Sequence, residues 1–260
     1  MKGFKRLYIG LIMLFLYTPI VLLVIFSFNA GKSRAVWEGF TLQWYVELFH
    51  DRKIIEALRN TLSIGLIAAV VSTIIGTMGA LGVYQLRRSP RRLMMTLVNI
   101  PQLNSEIVTG VSLMLLYTLF GMELGYMTLL LSHIAFCIPY VVLSVMPKLR
   151  QIDPHLPEAA QDLGATPMQA FFKVILPDIM PGVFSGFLMA LTMSIDDFVI
   201  SFFTTGQGVE NLSITIYTMA KRGISPKINA LSTIIFGTVL ALLILVNLPE
   251  FRKKDKAVRA

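Results

Sequence analysis

The sequence predicts an all-α membrane protein with six transmembrane helices, and three observations predict it. Of its 260 residues, 55% are apolar and only 15% are charged, whereas soluble domains are about 45–50% apolar and about 25% charged. The mean hydropathy is +0.70. Six apolar stretches are long enough to cross a bilayer, and the basic residues lie mainly on one side of them. This composition excludes a soluble enzyme, because such a large apolar surface needs lipid to cover it.

The first three predicted spans lie in the N-terminal half of the chain. A helix needs about 20 apolar residues to cross the hydrocarbon core of a membrane. Residues 7–28 and 61–86 contain no charged side chain, and residues 93–120 contain only Glu106, with Pro101 shortly before it. The first stretch is longer than the apolar core of a secretory signal, and no small-residue cleavage site follows it. It is therefore predicted to be a helix that remains in the protein.

The last three predicted spans are residues 127–146, 182–203 and 230–248. The fourth and the sixth contain no Asp, Glu, Lys or Arg, but the fifth contains the adjacent carboxylates Asp196 and Asp197. All 260 residues are thus predicted to form a single transmembrane domain.

The distribution of Lys and Arg predicts that both termini are cytoplasmic. With the N-terminus inside, the inner segments carry 15 of the 23 basic residues and the outer segments carry 8. Basic residues are enriched in cytoplasmic segments, so this orientation is favoured over its reverse. The net charge of +8 is then explained by topology, and no nucleic-acid partner is expected.

A long segment between the fourth and fifth spans, residues 147–181, is predicted to be a cytoplasmic loop with its own helices. Pro157 suits the first turn of a helix that stops at Gly164, a residue type that readily adopts a left-handed conformation. Thr166 is predicted to cap a second helix, with a capping-box glutamine three residues later, and Pro177 is predicted to end it. Both a connection lying on the membrane surface and a docking element for another protein fit this pattern.

Seven residues of this loop resemble the EAA motif of ABC-importer permease subunits. The family motif reads E-A-A-x3-G-x9-I-x-L-P, and its positions correspond to Glu158, Ala159, Ala160, Gly164, Val174, Leu176 and Pro177. Only the isoleucine differs, being replaced by Val174. The resemblance implies the MetI-like permease fold of type I ABC importers. It also implies that residues 158–177 are coupling helices that bind in a groove of a separate ATPase subunit.

The same resemblance implies a transporter built from several subunits. The sequence contains no phosphate-binding loop of the form G-x-x-x-x-G-K-[ST], so ATP hydrolysis by that mechanism is expected in a partner. The implied partners are two copies of an ATPase subunit, a second homologous permease subunit forming a heterodimer, and an extracytoplasmic binding protein. The expected location is the plasma membrane of a prokaryote, among membrane lipids, and no cofactor is expected.

Three carboxylates inside predicted spans are candidate contacts for the cargo: Glu106, Asp196 and Asp197. Placing a carboxylate in lipid costs several kcal/mol, so such a residue normally faces a cavity, a partner or a water-filled path. One interpretation is an acidic path for a cationic cargo. The other places Glu106 near an interface, or pairs an aspartate with a basic group of a neighbouring subunit.

Three further stretches are similar to the permeases of spermidine/putrescine importers. They are residues 37–45 (Trp-Glu-Gly-Phe-Thr followed by Trp-Tyr), 132–139 and 194–198. This similarity implies a polyamine as the cargo and a polyamine-binding protein as the partner that delivers it. Other amine-like or phosphonate cargo stays open, because relatives that carry such compounds have similar helices.

Two other classes of protein compete with this interpretation. An ion-coupled secondary transporter would also use intramembrane acids, but the EAA-like loop argues against it. An enzyme is disfavoured because the three histidines are spread over different compartments and the single cysteine, Cys137, excludes a cysteine-based zinc cluster. Asp196 and Asp197 also point about 100° apart on a helix, so they do not form an acid–base pair. His133 and Pro139 are interpreted as packing and kink features of the fourth span.

Overall fold

The computed structural model describes residues 2–31, 36–153, 155–222, 226–238 and 240. Helices dominate these residues, in agreement with the predicted all-α class. The first six in chain order are α1 (Lys2–Phe26), α2 (Gln43–His50), α3 (Arg52–Gln85), α4 (Arg88–Leu103), α5 (Glu106–Leu119) and α6 (Tyr126–Leu149). They are followed by α7 (Leu156–Asp162), α8 (Pro167–Ala170), a π-helical turn (Phe171–Ile175), α9 (Leu176–Asp196), α10 (Val199–Thr204) and α11 (Leu212–Arg222). Residues 226–238 are also helical.

Among the described residues, four helical stretches are long and apolar enough to cross a membrane. They are Lys5–Phe26, Arg52–Gln85, Tyr126–Leu149 and Pro167–Asp196. The apolar helix α5 is shorter, with 14 residues. Residues 239 and 241–248 of the sixth predicted span, residues 230–248, lie outside the described part of the chain.

The chain forms two compact units. One contains the described residues up to Ile55 together with those between Thr215 and Leu240, and the other contains the described residues of Glu56–Ile214. The second unit contains α4 to α10 and therefore all the candidate functional residues. The first unit contains α1 and α2.

The third predicted span, residues 93–120, is not one continuous helix. α4 and α5 are separated by Asn104 and Ser105, whose ψ angles of 150° and 136° are extended rather than helical. Glu106 is the first residue of α5, where the partial positive charge of a helix N-terminus stabilises a carboxylate. The carboxylate that interrupts the apolar pattern therefore marks the start of a new helix.

Close packing of α6 against α9 forms the centre of the second unit. Gly182 and Gly186 are both buried and lie one helical turn apart on α9, a spacing that lets two helix backbones approach. A Cβ atom at Gly186 would lie 3.3 Å from the Cα atom of Val141, and one at Gly182 would lie 3.1 Å from the carbonyl oxygen of Ser144. These two glycines therefore set the distance between α6 and α9.

An ion pair in the first unit joins the segment before α3 to the helical residues 226–238. The Nζ atom of Lys227 lies 2.5 Å from Oδ2 of Asp51, and their side chains are 20% and 29% exposed. The hydrogen bond from Lys227 is the main cause that lowers the pKa of Asp51 below its ordinary value of 3.8. The pair therefore stabilises the fold above that ordinary value, and its contribution is lost as the pH falls through the lowered pKa.

We expect the coupling between Asp51 and Lys227 to be small and measurable. Partly exposed pairs contribute about 1 kcal/mol or less, so Asp51→Asn and Lys227→Gln should each lower the unfolding midpoint slightly at pH 7. The double variant should be little less stable than either single variant, because one change already removes the attraction. Thermal unfolding of the four proteins in detergent checks this, and strictly additive losses would contradict the pairing.

Candidate functional site

Residues 156–177, here called the EAA segment, fold as predicted around Gly164. Gly164 has a φ angle of +90°, in the left-handed region that favours glycine. Its N–H donates to the carbonyl of Gln161 at 2.8 Å, and the N–H of Ala165 donates to the carbonyl of Ala160 at 3.1 Å. This pair of bonds is a Schellman motif, which satisfies the last carbonyls of α7. The predicted left-handed stop at Gly164 is therefore confirmed.

The predicted capping box at the start of α8 is also confirmed. The backbone N–H of Gln169 donates to Oγ1 of Thr166 at 3.3 Å, and the backbone N–H of Thr166 donates to Oε1 of Gln169 at 3.0 Å. Pro167 occupies the first turn, where its missing N–H costs no helical hydrogen bond. The chain therefore turns between α7 and α8 with its exposed backbone groups satisfied.

Pro177 does not end the second helix, so that prediction is wrong. The backbone stays helical from Pro167 to Asp196, and residues Phe171–Ile175 form a π-helical turn. Within it, the N–H of Leu176 donates to the carbonyl of Phe171, five residues earlier. The widened turn brings the chain to Pro177 at the first turn of α9, where a missing N–H is tolerated.

The EAA segment carries a surface that no other described part of the chain covers. The side chains of Leu163, Met168 and Phe172 are 90%, 67% and 55% exposed. The Glu158 side chain is 76% exposed, and its Oε2 atom lies 3.4 Å from Nδ1 of His155. Of the other motif residues, Ala159 and Pro177 are exposed, and Ala160, Val174 and Leu176 are half-buried. Exposed apolar groups beside a carboxylate are typical of a protein-binding surface.

The second candidate feature is a break in the fifth predicted span, residues 182–203. α9 ends at Asp196, and Asp197 has a ψ angle of 126° that no helix accommodates. Oδ1 of Asp197 accepts a hydrogen bond from the N–H of Ile200 at 3.2 Å, and Oδ2 accepts one from the N–H of Ser201 at 2.7 Å. The carboxylate thus satisfies the first free N–H groups of α10, the role of a helix cap.

A buried polar cluster surrounds that cap, formed by His133, Ser194, Asp197, Ser201 and Asn211. The Ser201 hydroxyl donates to Oδ2 of Asp197 at 2.9 Å, and Asn211 Nδ2 donates to the Ser201 oxygen at 2.7 Å. His133 lies between two serines, with Nε2 2.9 Å from Ser201 Oγ and Nδ1 2.6 Å from Ser194 Oγ.

One arrangement of protons satisfies all these bonds. The Ser201 oxygen accepts from Asn211 and from an Nε2–H of His133, while Nδ1 of His133 accepts from the Ser194 hydroxyl. A hydroxyl has one proton to donate and two lone pairs to accept, so Ser201 is fully used. The cluster therefore joins α6, α9, α10 and the residue that precedes α11 through satisfied bonds, and it stabilises the break.

The three predicted path carboxylates lie in different environments. Asp197 is 8% exposed and bonded within the polar cluster, whereas Asp196 and Glu106 are exposed. The prediction that the two aspartates face different directions is confirmed. Next to the break, α10 packs on α5 at Gly110, where a Cβ atom would lie 3.0 Å from the Phe203 ring and 3.4 Å from the Cα atom of Ile200.

Sequence reasoning missed that His133, Ser194, Ser201 and Asn211 form a cluster around Asp197. The sequence does indicate part of this cluster. Ser194 and Ser201 lie three residues before and four residues after Asp197, which is the spacing of residues on one helix face. His133 and Asn211 are distant in sequence, so their contribution depends on how the helices pack.

Comparison with known proteins places the chain among transport components. The family described as "Binding-protein-dependent transport system inner membrane component" matches residues 72–248. The chain is 37% identical over 230 residues to the spermidine/putrescine transport system permease protein PotC of Escherichia coli K12, covering 88% of this chain and 87% of that protein. It is 38% identical over 232 residues to the putrescine transport system permease protein PotI of the same strain, covering 86% and 83%.

A solved structure has a similar fold. It is the crystal structure of a bacterial alginate ABC transporter in complex with a periplasmic protein that holds an alginate pentasaccharide. The TM-score is 0.70 with 20% sequence identity, over 94% of this chain and 91% of that one. At this identity the likeness establishes the fold, which is that of an ABC importer permease.

Proposed function

Because the chain belongs to the family of binding-protein-dependent transport system inner membrane components, we propose that it is the permease subunit of an ABC importer for polyamines. It is a multi-pass protein of the inner membrane, and its family serves transport. We further propose its orientation and its partners. Both termini and the EAA segment lie in the cytoplasm, and six helices cross the membrane. A second permease subunit completes the path of the cargo through the membrane.

The observation that carries the proposal is the geometry of the EAA segment. Leu163, Met168 and Phe172 expose apolar surface next to a tight turn whose backbone is already satisfied. Such a surface suits insertion into a groove of an ATPase subunit, because burying exposed apolar side chains favours association and the preformed turn loses little entropy. ATP hydrolysis in two copies of that partner then supplies the energy.

The proposed cargo is a polyamine such as spermidine or putrescine. The relatives PotC and PotI, which are named as spermidine/putrescine and putrescine permeases, support it, since both are identical to this chain at more than a third of the aligned positions. The exposed carboxylates Asp196 and Glu106 suit a cationic cargo that is attracted without being trapped. Asp197 contributes to the path of the cargo only indirectly. Its hydrogen bonds stabilise the break between α9 and α10, and this break places Asp196 at the end of α9.

Reconstitution tests the proposal. The chain is assembled in liposomes with its partner permease, the ATPase and the binding protein, and uptake of labelled spermidine is measured with and without ATP. We expect uptake that requires ATP and the ATPase and that unlabelled putrescine reduces, whereas unlabelled alginate oligosaccharide does not. Uptake without the ATPase, driven by an ion gradient, would support a secondary transporter and overturn the proposal.

A further inference from the structure

Five of the exposed apolar side chains between α1 and α3 are here called the Phe40 patch. They are Trp37, Phe40, Leu42, Val46 and Phe49, with exposed fractions of 48%, 69%, 54%, 57% and 69%. We propose that the Phe40 patch inserts into the lipid–water interface beside the end of α1, so that α2 lies on the membrane surface. The occupant of this patch is therefore phospholipid.

The position of the patch relative to α1 is determined by backbone bonds. The N–H of Ala30 donates to the carbonyl of Gly39, and the N–H of Thr41 donates to the carbonyl of Phe28, both at 2.8 Å. The rings of Phe28 and Phe40 stack with centroids 5.3 Å apart and an interplanar angle of 10°. Since Phe28 follows α1 by only two residues, Phe40 lies level with the end of that helix.

Side-chain bonds attach α2 to the same place. Nε1 of Trp44 donates to the carbonyl of Asn29 at 2.7 Å, and the hydroxyl groups of Tyr45 and Ser27 lie 2.6 Å apart. Trp44 and Leu48, one turn apart, are 8% and 3% exposed and form the inner face of α2. The helix therefore cannot move away from the end of α1 without breaking buried contacts.

The remaining surface of α2 divides into an apolar and a polar face. Leu42, Val46 and Phe49 are spaced by four and three residues and share one face. Gln43, Glu47 and His50 share another face, on which Gln43 Nε2 donates to Glu47 Oε1 at 2.9 Å. A helix with one face on the protein, one apolar face exposed and one polar face is typical of helices that lie in the membrane interface.

Continuity with α1 identifies lipid as the occupant. The most apolar stretch of Lys5–Phe26 has a mean hydropathy of 2.7 and no buried residue, so α1 presents side chains suited to lipid along its length. Its end consequently lies at the interface, where aromatic residues are favoured. Arg52 and Lys53 follow α2 and are exposed, in position to contact phosphate headgroups. This inference requires α1 to cross the membrane but is independent of cargo, ATPase and orientation.

Nitroxide labelling tests the inference on the assembled transporter. Cys137 is 0% exposed, so it should stay unlabelled, and the unsubstituted chain measures any background. Phe49→Cys places the label on the apolar face, and Gln43→Cys on the same helix is the matched control. Val46→Cys provides a second label on the apolar face. The samples are liposomes of phosphatidylethanolamine and phosphatidylglycerol, with partner subunits that lack accessible cysteines.

Collisions of the label with oxygen, which concentrates in lipid, and with a water-soluble nickel chelate give the result. The oxygen-to-nickel ratio at Phe49→Cys and Val46→Cys should be at least about threefold higher than at Gln43→Cys. Equal ratios at all three positions would overturn the inference. Low access of both reagents to the apolar-face labels would also overturn it, because it would mean that protein covers the patch. Spermidine uptake by the same samples tests the proposed function separately.

Discussion

Replacement of Asp197 by alanine should destabilise the protein by about 3 kcal/mol and abolish spermidine uptake. The carboxylate accepts two backbone N–H groups and the Ser201 hydroxyl, all of them buried. Without it these donors have no acceptor in a region that water does not reach, and the start of α10 loses its cap. The unfolding midpoint in detergent and ATP-dependent uptake in liposomes measure the two effects.

Three matched variants separate this structural role from contact with the cargo. Asp197→Asn keeps the shape but turns an NH2 group toward N–H donors, so it should lose less stability than alanine while still lowering uptake. Asp196→Asn and Glu106→Gln change exposed carboxylates and should lower uptake with an unchanged unfolding midpoint. If Asp197→Ala unfolds at the same temperature as the unsubstituted chain, the capping role is wrong. Unchanged uptake in the Asp196 and Glu106 variants would exclude the proposed acidic path.

Replacement of Gly164 by valine should uncouple the transporter from its ATPase while leaving insertion into the membrane intact. The left-handed conformation costs a residue with a Cβ atom about 1–2 kcal/mol, which corresponds to about a tenfold change in an equilibrium. Apart from the two residues adjoining Gly164, no atom in the described part of the chain lies within 4 Å of the position of the added Cβ, so the effect comes from the backbone angle and not from a clash. ATP-dependent uptake and the ATPase activity stimulated by the loaded binding protein are the measurements.

Asparagine at position 164 is the control for this prediction. Asparagine adopts positive φ angles more readily than valine, so Gly164→Asn should retain more uptake although its side chain is of similar volume. Uptake at the unsubstituted level in Gly164→Val would count against the docking role of the EAA segment. Equal losses in both variants would mean that side-chain volume matters at this position and not the left-handed turn.

Features determined by neighbours in sequence could be predicted. The Schellman motif at Gly164 and the capping box of Thr166 and Gln169 depend on residues within one or two turns, and their residue types identify them. The apolar stretches likewise predicted helices. The same reasoning from neighbouring residues gave a wrong prediction at Pro177. The rule that proline ends a helix assumes α-helical hydrogen bonds, but here a π-helical turn precedes the proline.

Features that depend on the packing of distant helices could not be predicted. The partners of Asp197 include His133, which is 64 residues away in sequence and which the sequence predicts only as a packing residue. The adjacent aspartates were predicted to face different ways, but which of them is buried follows from the position of α6. Likewise, Glu106 stands out in the sequence because it interrupts an apolar stretch. Asn104 and Ser105, the extended residues that divide the predicted span, carry no strong sequence signal.

The unbroken helix from Pro167 to Asp196 has a mechanical consequence. At 1.5 Å per residue its 30 residues make a rod about 45 Å long, with the docking surface at one end and the polar cluster at the other. Since the backbone stays helical throughout, its two ends move together except for bending at the π-helical turn Phe171–Ile175 and at Pro181. If an ATPase binds the EAA segment as proposed, a movement near Met168 passes along this helix to Asp196 and Asp197, where the helix ends.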